Sequence, residues 1–163
     1  MTAERLVPID LAQVDVRADP DRLPFPPLAA NTATTWESRD VLWLGPDEWL
    51  VVAQPDDATT IVRELEEPLA GHHHSVLDVS ANRIVYELNN GLEQLSSSCG
   101  LDLHPSRWTP GMCAQTLFGG AQVILHQREE RTTRETADSS RSCCVGVRSG
   151  RGFGVLGTSI IRT

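Results

Sequence analysis

The sequence predicts an α+β domain in which a mostly antiparallel sheet carries two helices packed on one face. Short apolar runs rich in Val and Trp alternate with Gly- and Pro-containing turns, and two segments place apolar residues at helical spacing. The predicted order is strand, strand, helix, strand, strand, helix, strand. Because most neighbouring strands follow each other without a helix between them, antiparallel pairing is favoured over a doubly wound parallel sheet.

Residues 1–34 are predicted to form an extended, proline-rich arm that lies on a surface. Four prolines lie close together in it: Pro20, Pro24, Pro26 and Pro27. Proline fixes φ and removes a backbone donor, so the segment is expected to be a poor helix or central strand. Leu23, Phe25 and Leu28 would then face water unless a partner covers them.

Residues 35–127 are predicted to form the folded domain, and it opens with a hairpin. The apolar runs Val41 to Leu44 and Trp49 to Val52 flank Gly45-Pro46-Asp47-Glu48. Gly-Pro and Pro-Asp are turn signals, so the two runs are expected to pair. Pro55 ends the second strand.

A helix is predicted next, with Asp56 or Asp57 as its cap and Gly71 closing it. Its apolar stripe comprises Ile61, Val62, Leu65 and Leu69. Strands follow at 76–79 and at 83–88. In the second of these strands three residues share one face: Ile84, Tyr86 and Leu88.

A short second helix is predicted from about Asn90 to Cys99, ended by Gly100. Its stripe comprises Leu92, Leu95 and Cys99. The last predicted strand is Gln122 to His126. No internal repeat is visible, and 163 residues with 40% apolar composition suffice for one domain with a real core.

Charge and hydropathy exclude several classes of partner. The formal net charge is −8, which disfavours nucleic acid and anionic membrane, since both require a basic face. No apolar run approaches the roughly 18 residues of a membrane span, and the N-terminus lacks a secretory signal, so a cytoplasmic protein is expected. All 14 basic residues are arginine.

The four cysteines are therefore expected to be thiols. Cys99 and Cys113 lie singly inside apolar patterns and are interpreted as small buried hydrophobes. Cys143 and Cys144 have no CxxC partner, which argues against a zinc site.

His72-His73-His74 is the strongest pattern for a metal-dependent enzyme. Consecutive histidines on an irregular segment rarely direct their rings at one ion, and no carboxylate or cysteine is spaced to complete a ligand set. The preferred interpretation is a solvated loop.

Two Asp-containing pairs resemble parts of catalytic sites. Asp78 and Ser80 could form a triad with one of the histidines, but no Gly-x-Ser-x-Gly elbow is present, so a strand end and turn is preferred. Asp102 and His104 resemble a base and its orienter, but Pro105 favours a turn.

Gly119-Gly120 lacks the remaining residues of a phosphate loop and is interpreted as a hairpin or bulge. Some of the four tryptophans are expected in the core, and any exposed one would suit an interface. The sequence does not distinguish the two groups among Trp36, Trp43, Trp49 and Trp108.

From about Val41 to His126 the chain resembles the gamma subunit family of heterotetrameric sarcosine oxidase. Four motifs carry the resemblance, in the family's order: Leu42 to Leu50 (LWLGPDEWL), Asp78-Val79-Ser80, Leu101 to Pro105 (LDLHP), and Cys113 to Thr116 (CAQT) continuing to Val123 to His126 (VILH). The family is related in fold to the folate-binding glycine cleavage T-protein.

The resemblance implies a non-catalytic structural subunit that supports the alpha and beta chains, with delta in the same complex. That complex oxidises sarcosine to glycine, and its NAD, FAD, FMN and tetrahydrofolate sites are expected in alpha and beta. No catalytic, cofactor-binding or metal residues are carried over to this chain. The alternative is a stand-alone folate-binding protein or folate-dependent one-carbon enzyme of the related fold, for which no pocket carboxylate or arginine is identifiable.

Residues 128–163 depart from the family and are predicted to be an irregular tail. They hold seven of the 14 arginines, and five glycines interrupt any regular element: Gly146, Gly150, Gly152, Gly154 and Gly157. The hypothesis is a shift of reading frame that removes the last strand and the closing helix. Resequencing the gene tests it, because an alternate frame near Arg141 must then encode an aromatic-containing helix.

Overall fold

Two five-stranded antiparallel sheets form the protein in the computed structural model, which describes residues 7–89, 95–128 and 142–148. The first sheet has the strand order β1-β7-β10-β9-β8. Its strands are β1 (Val7–Ile9), β7 (Arg83–Asn89), β8 (Cys113–Phe118), β9 (Ala121–Gln127) and β10 (Ser142–Arg148). The second sheet has the order β3-β4-β5-β2-β6. Its strands are β2 (Ala12–Arg17), β3 (Ala33–Trp36), β4 (Arg39–Gly45), β5 (Glu48–Ala53) and β6 (Ser75–Asp78).

The predicted α+β class is confirmed, but the strands divide between two sheets where the sequence indicated one. Every described strand pairing is antiparallel. One helix, α1 (Ala58–Leu69), is described. Strand periodicity reports which residues share a face and not which strand is the neighbour, so it does not reveal the split.

The helix α1 packs on the second sheet through the predicted stripe. Ile61, Leu65 and Leu69 are fully buried, and Val62 is partly buried against the same cluster. Gly71 follows with φ near +80°, which a residue with a side chain adopts at a cost. Asp57 occupies the N-cap position, as one of the two predicted candidates, but its side chain makes no capping hydrogen bond and accepts from Arg39 instead.

The N-terminal segment does not form the extended surface arm that the sequence predicted. The strand β2 lies between β5 and β6, in the interior of the second sheet, and Val14 and Val16 are fully buried. Phe25 is also buried, with its ring centroid 5.8 Å from that of Trp36. The four clustered prolines follow β2, so they do not interrupt its pairing, and the apolar arm residues are covered by the chain's own core.

The tail prediction is wrong for residues 142–148. The strand β10 pairs with β7 on one side and with β9 on the other, so a strand in this part of the chain completes the first sheet. Gly146 lies within the pairing, opposite Val85 and Ile124, and does not break the strand. The rest of the predicted tail, and most of the second predicted helix at 90–99, lie outside the described residues.

Three apolar clusters hold the layers together. The first joins α1 to the second sheet, and the third lies between the two sheets around Leu42, Leu50 and Ile124. The remaining cluster packs residues 95–108, including Leu95 and Trp108, on the outer face of β8 and β9. The layers therefore stack in the order α1, second sheet, first sheet and the 95–108 segment.

In β7 the residue that enters the core is Val85, which is buried, whereas Ile84 is 47% exposed. Ile84 and Tyr86 share the opposite face of the strand, as alternation requires. Ile84 and Tyr86 therefore share a face as predicted, but Ile84 on that face is exposed and does not pack in the described core.

Candidate functional site

A cleft between the two sheets combines apolar walls with several polar side chains. Its volume is about 100 Å³. Apolar side chains from both sheets form its walls: Leu42, Leu50, Val52, Val85 and Ile124. Polar side chains also line it: Gln13, Ser38, Asp40, Gln54, His126 and Arg128. Asp40 and Leu42 are two positions apart on β4, and Ile124 and His126 are two positions apart on β9, so each pair lies on one face of its strand. The two faces meet at the cleft.

His126 is the buried titratable group of this cleft. Its side chain is 7% exposed, and no described residue forms a hydrogen bond with either ring nitrogen. Burial lowers the pKa of His126 to about 4, the negative charge of Asp40 partly opposes this shift, and the positive charge of Arg128 reinforces it. The imidazole is therefore neutral at pH 7 and offers one donor and one acceptor.

An ion pair lies beside this histidine. Arg128 Nε is 3.3 Å from a carboxylate oxygen of Asp40, and Arg128 Nη1 is 3.9 Å from Glu87. The Asp40 side chain is largely buried, whereas that of Arg128 is about one-third exposed. The two opposite charges thus reach from the cavity towards solvent.

A second charged cluster, centred on Arg39, connects β4 to α1. The Arg39 side chain is 8% exposed and donates to carboxylates of Asp57 and Glu64. Its guanidinium also lies 4.9 Å from the ring centroid of Trp36. These partners all belong to the chain itself, so the cluster holds the helix on the sheet and is not arranged to receive a substrate.

The three histidines do not converge. His74 bonds through Nε2 to Glu66 at 2.8 Å and through Nδ1 to the His72 carbonyl. The hydrogen bond with Glu66 is the main cause of the raised pKa of His74. His72 Nε2 instead lies 2.9 Å from Arg22, so neighbouring rings have different partners.

Asp78 and Ser80 form the predicted local turn at the end of β6. The Asp78 carboxylate accepts from both the backbone N–H and the hydroxyl of Ser80, and these bonds lower the pKa of Asp78. Ser80 Oγ also accepts from the backbone N–H of Gln13 at 2.9 Å. This serine is thus held by contacts on both sides.

Asp102 and His104 likewise form the predicted turn. Asp102 accepts from the His104 backbone N–H at 3.1 Å, and His104 Nδ1 lies 2.8 Å from the Ser106 hydroxyl. The carboxylate therefore contacts the backbone of His104 and does not orient its ring as a catalytic base would require.

Gly119 and Gly120 form the turn of the β8–β9 hairpin, with φ of +55° and +85°. Positive φ at both central residues is typical of a type I′ turn. The hairpin interpretation is confirmed.

Cys113 is fully buried, as predicted for a small hydrophobe, and burial raises the pKa of its thiol to about 11. Cys99 is partly buried. The side chains of Cys143 and Cys144 lie outside the described residues. Of the four tryptophans, Trp49 and Trp108 are buried in core clusters, while Trp36 and Trp43 are half-buried.

Neither a metal-ligand cluster nor a membrane-spanning helix occurs in the described ranges. There, no three side chains of the His, Cys, Asp or Glu type are close enough together to hold a metal ion. In the same ranges no helix has both the length and the apolar character needed to cross a bilayer. The lack of catalytic and cofactor residues in the chain remains a prediction.

The His126 cleft was missed by sequence reasoning. Asp40 and His126 are 86 positions apart, so no local motif joins them. The signal that could have revealed it is a polar residue on the core-facing side of each strand. Asp40 lies two positions before Leu42 in β4, and His126 lies two positions after Ile124 in β9.

Comparison with known proteins gives a consistent family match. Residues 23–142 match the model of the sarcosine oxidase gamma subunit family. The match begins before Val41 and extends past Gln127, so it is longer at both ends than the motifs indicated.

Two curated relatives are gamma subunits of sarcosine oxidase. The protein from Corynebacterium sp. (strain P-1) is 35% identical over 133 residues, and that from Arthrobacter sp. is 34% identical over 133 residues. Each alignment covers 74% of this chain and 64% of the relative, so the chain spans less than two thirds of their length.

Two solved structures share the fold. A chain of heterotetrameric sarcosine oxidase from Corynebacterium sp. U-96, in complex with pyrrole 2-carboxylate, matches with a TM-score of 0.70 and 25% identity, covering 88% of this chain and 74% of that one. The glycine cleavage system aminomethyltransferase T from Bartonella henselae matches with a TM-score of 0.63 and 12% identity, covering 88% and 42%. The second similarity is one of fold alone.

Proposed function

We propose that this chain, which belongs to the sarcosine oxidase gamma subunit family, is a non-catalytic structural subunit of a heterotetrameric sarcosine oxidase. In this proposal it docks on alpha and beta chains, with delta in the same complex, and supports their oxidative demethylation of sarcosine to glycine. A cytoplasmic location is part of the proposal.

The observation that carries the proposal is the family match over residues 23–142. The internal chemistry supports it. The candidate residues His74, Asp78 and Asp102 are each engaged by side chains or backbone close to them in the fold. A group held in this way maintains local structure and is not poised for proton transfer or nucleophilic attack.

The redox cofactors of the complex are proposed to reside in alpha and beta: NAD, FAD, FMN and tetrahydrofolate. The inter-sheet cleft is too small to hold one of them, because about 100 Å³ is well below the roughly 300–1,000 Å³ of pockets for drug-sized ligands. A flavin or a folate does not fit there without separating the two sheets. In this proposal the contribution of this chain is its surface and shape.

Purification of the tagged full-length chain from its native host tests the proposal. The expected product is a flavin-yellow complex containing two larger chains, from which this chain dissociates only on denaturation. A colourless monomer that binds tetrahydrofolate would contradict the proposal and support the stand-alone folate-binding alternative. Flavin absorbance and folate titration distinguish the two outcomes in one preparation.

A further inference from the structure

We propose that the inter-sheet cleft beside His126 binds a small zwitterion of amino-acid size. This goes beyond the structural role, and it requires neither partner chains nor the cofactors of the complex. Three features of the cleft support it: an imidazole that lines the cavity, an ion pair at its edge and its small volume.

The imidazole of His126 is the first feature. The side chain is 7% exposed, yet neither ring nitrogen has a hydrogen-bond partner among the described residues. The ring nitrogens are not among the described side-chain atoms that are sealed from solvent without a partner, so they face open space in the cleft. The ring also lines the cavity, so a molecule held there can supply the missing hydrogen bond.

The ion pair defines the charge of the ligand. Asp40 and Arg128 both line the cleft and are 3.3 Å apart. A lone anion near Arg128 would be repelled by Asp40 and Glu87, and a lone cation near Asp40 would be repelled by Arg128. A zwitterion presents an ammonium to Asp40 and a carboxylate to Arg128, so it replaces one ion pair by two.

The volume and walls define the ligand's size. A cavity of about 100 Å³ has room for on the order of three water molecules, since each occupies roughly 30 Å³ in the liquid. That space suits a glycine- or alanine-sized molecule. The walls contributed by Leu50, Val52 and Ile124 favour a short aliphatic substituent over a further charge.

The test is a titration of the full-length chain, with histidine labelled at the ring Cε1, by glycine. The His126 resonance is identified among the five histidines by its loss in a His126→Gln variant. We expect a saturable shift of this resonance with glycine. Acetate and methylammonium, which carry one charge each, should bind at least about tenfold more weakly at equal ionic strength.

The matched variants are Asp40→Asn and Asp19→Asn. The first removes the proposed ammonium partner and should weaken glycine binding by about tenfold or more. Asp19 is a largely exposed carboxylate paired with Arg22, and its removal should leave the titration unchanged. The wild-type comparison of the three probes decides the question even if Asp40→Asn does not fold.

Two results would overturn the proposal. One is the absence of a saturable His126 shift at glycine concentrations up to about 100 mM, beyond which binding is too weak to be specific. The other is an equal shift with acetate, methylammonium and glycine. Neither result bears on docking to the alpha and beta chains, because the titration contains none.

Discussion

At the scale of single residues, Arg39 shows how one side chain connects two elements. It extends from β4 and contacts the carboxylates of Asp57, at the N-cap of α1, and of Glu64, in the middle of that helix. The ring of Trp36 lies against its guanidinium, which restricts the side chain further. Because the arginine is nearly fully buried, these partners are needed to offset the free-energy cost of removing its charge from water.

Replacing Arg39 by alanine is expected to lower the free energy of unfolding by about 2–3 kcal/mol. Removal of one partner of a fully buried pair costs about 3–5 kcal/mol. We expect a smaller loss here because the Asp57 and Glu64 side chains are about one-third exposed, so solvent screens the interaction. Urea unfolding measures the loss. An Arg63→Ala variant on the exposed face of α1 serves as the control, with a change within about 0.5 kcal/mol. Equal losses in the two variants would contradict the assigned role.

His126 predicts a pH dependence of stability. Its folded pKa is about 4, below the unfolded value near 6.5, so the unfolded chain binds more protons between these values. The contribution of the neutral imidazole is fully present above pH 6.5 and is lost as the pH falls towards 4. At pH 4.5 the loss from this group should be about 2–3 kcal/mol.

Urea unfolding of the wild type and a His126→Gln variant at about pH 7 and about pH 4.5 measures this loss. The variant keeps a polar side chain that does not titrate, so the extra acid sensitivity of the wild type reports on His126. Identical acid sensitivity in the two proteins would show that His126 is not buried in the neutral form.

At the scale of elements, the sequence identified those whose signals are local. The β4–β5 hairpin follows from the Gly45-Pro46-Asp47 turn, and α1 follows from the apolar residues on one helical face. The burial of β2 was missed because the prolines after it suggested an extended arm, whereas its partner β5 lies more than 30 positions away. Likewise, β10 is a central strand through pairing with β7 and β9 and not through its own composition.

The sequence predicted which polar residues form local turns, but it did not predict the candidate site itself. The local turns at Asp78 and Asp102 follow from the tendency of short polar side chains to bond nearby backbone. The His126 cleft requires the packing of β4 against β9, which no local pattern encodes. The arrangement of strands into two sheets is the missing step, both for this cleft and for the burial of β2.

The β8–β9 hairpin offers a matched pair of glycine substitutions. Gly120 has φ near +85° and no atom close enough to clash with an added Cβ, so Gly120→Ala tests backbone strain alone. A loss of about 1–2 kcal/mol in unfolding free energy is expected. Gly100→Ala is the control, because that position is equally open and does not have positive φ, and its change should be near zero. Thermal or urea unfolding gives both values, and equal effects would contradict the turn assignment.

Truncation tests the role of β10. A chain ending at residue 141 lacks the strand that joins β7 to β9, and it is expected to lose its cooperative unfolding transition. A chain ending at residue 148 keeps every described strand pair and should retain the transition. Circular dichroism during heating distinguishes them. Cooperative unfolding of the shorter chain would show that β10 is dispensable. The frame-shift hypothesis for residues 128–163 is tested separately, by resequencing.

At the scale of the whole molecule, the proposed subunit acts through its surface. Two sheets and a helix form a continuous packed body, and the polar clusters that sequence patterns suggested as catalytic are engaged in its own turns. The charge distribution is uneven, with 18 of the 22 acidic residues before position 128 and seven of the 14 arginines after position 127. An acidic body of this kind favours partners that present basic surfaces.

Sarcosine-dependent oxygen consumption tests the central claim most directly. The assay compares this chain alone, the alpha, beta and delta chains of the same organism without it, and the four chains together. A structural role predicts no turnover by the isolated chain and a stable, active assembly only when it is added. Turnover by the purified chain alone, or an assembly whose stability and activity are unchanged by its omission, would contradict a structural role in the complex.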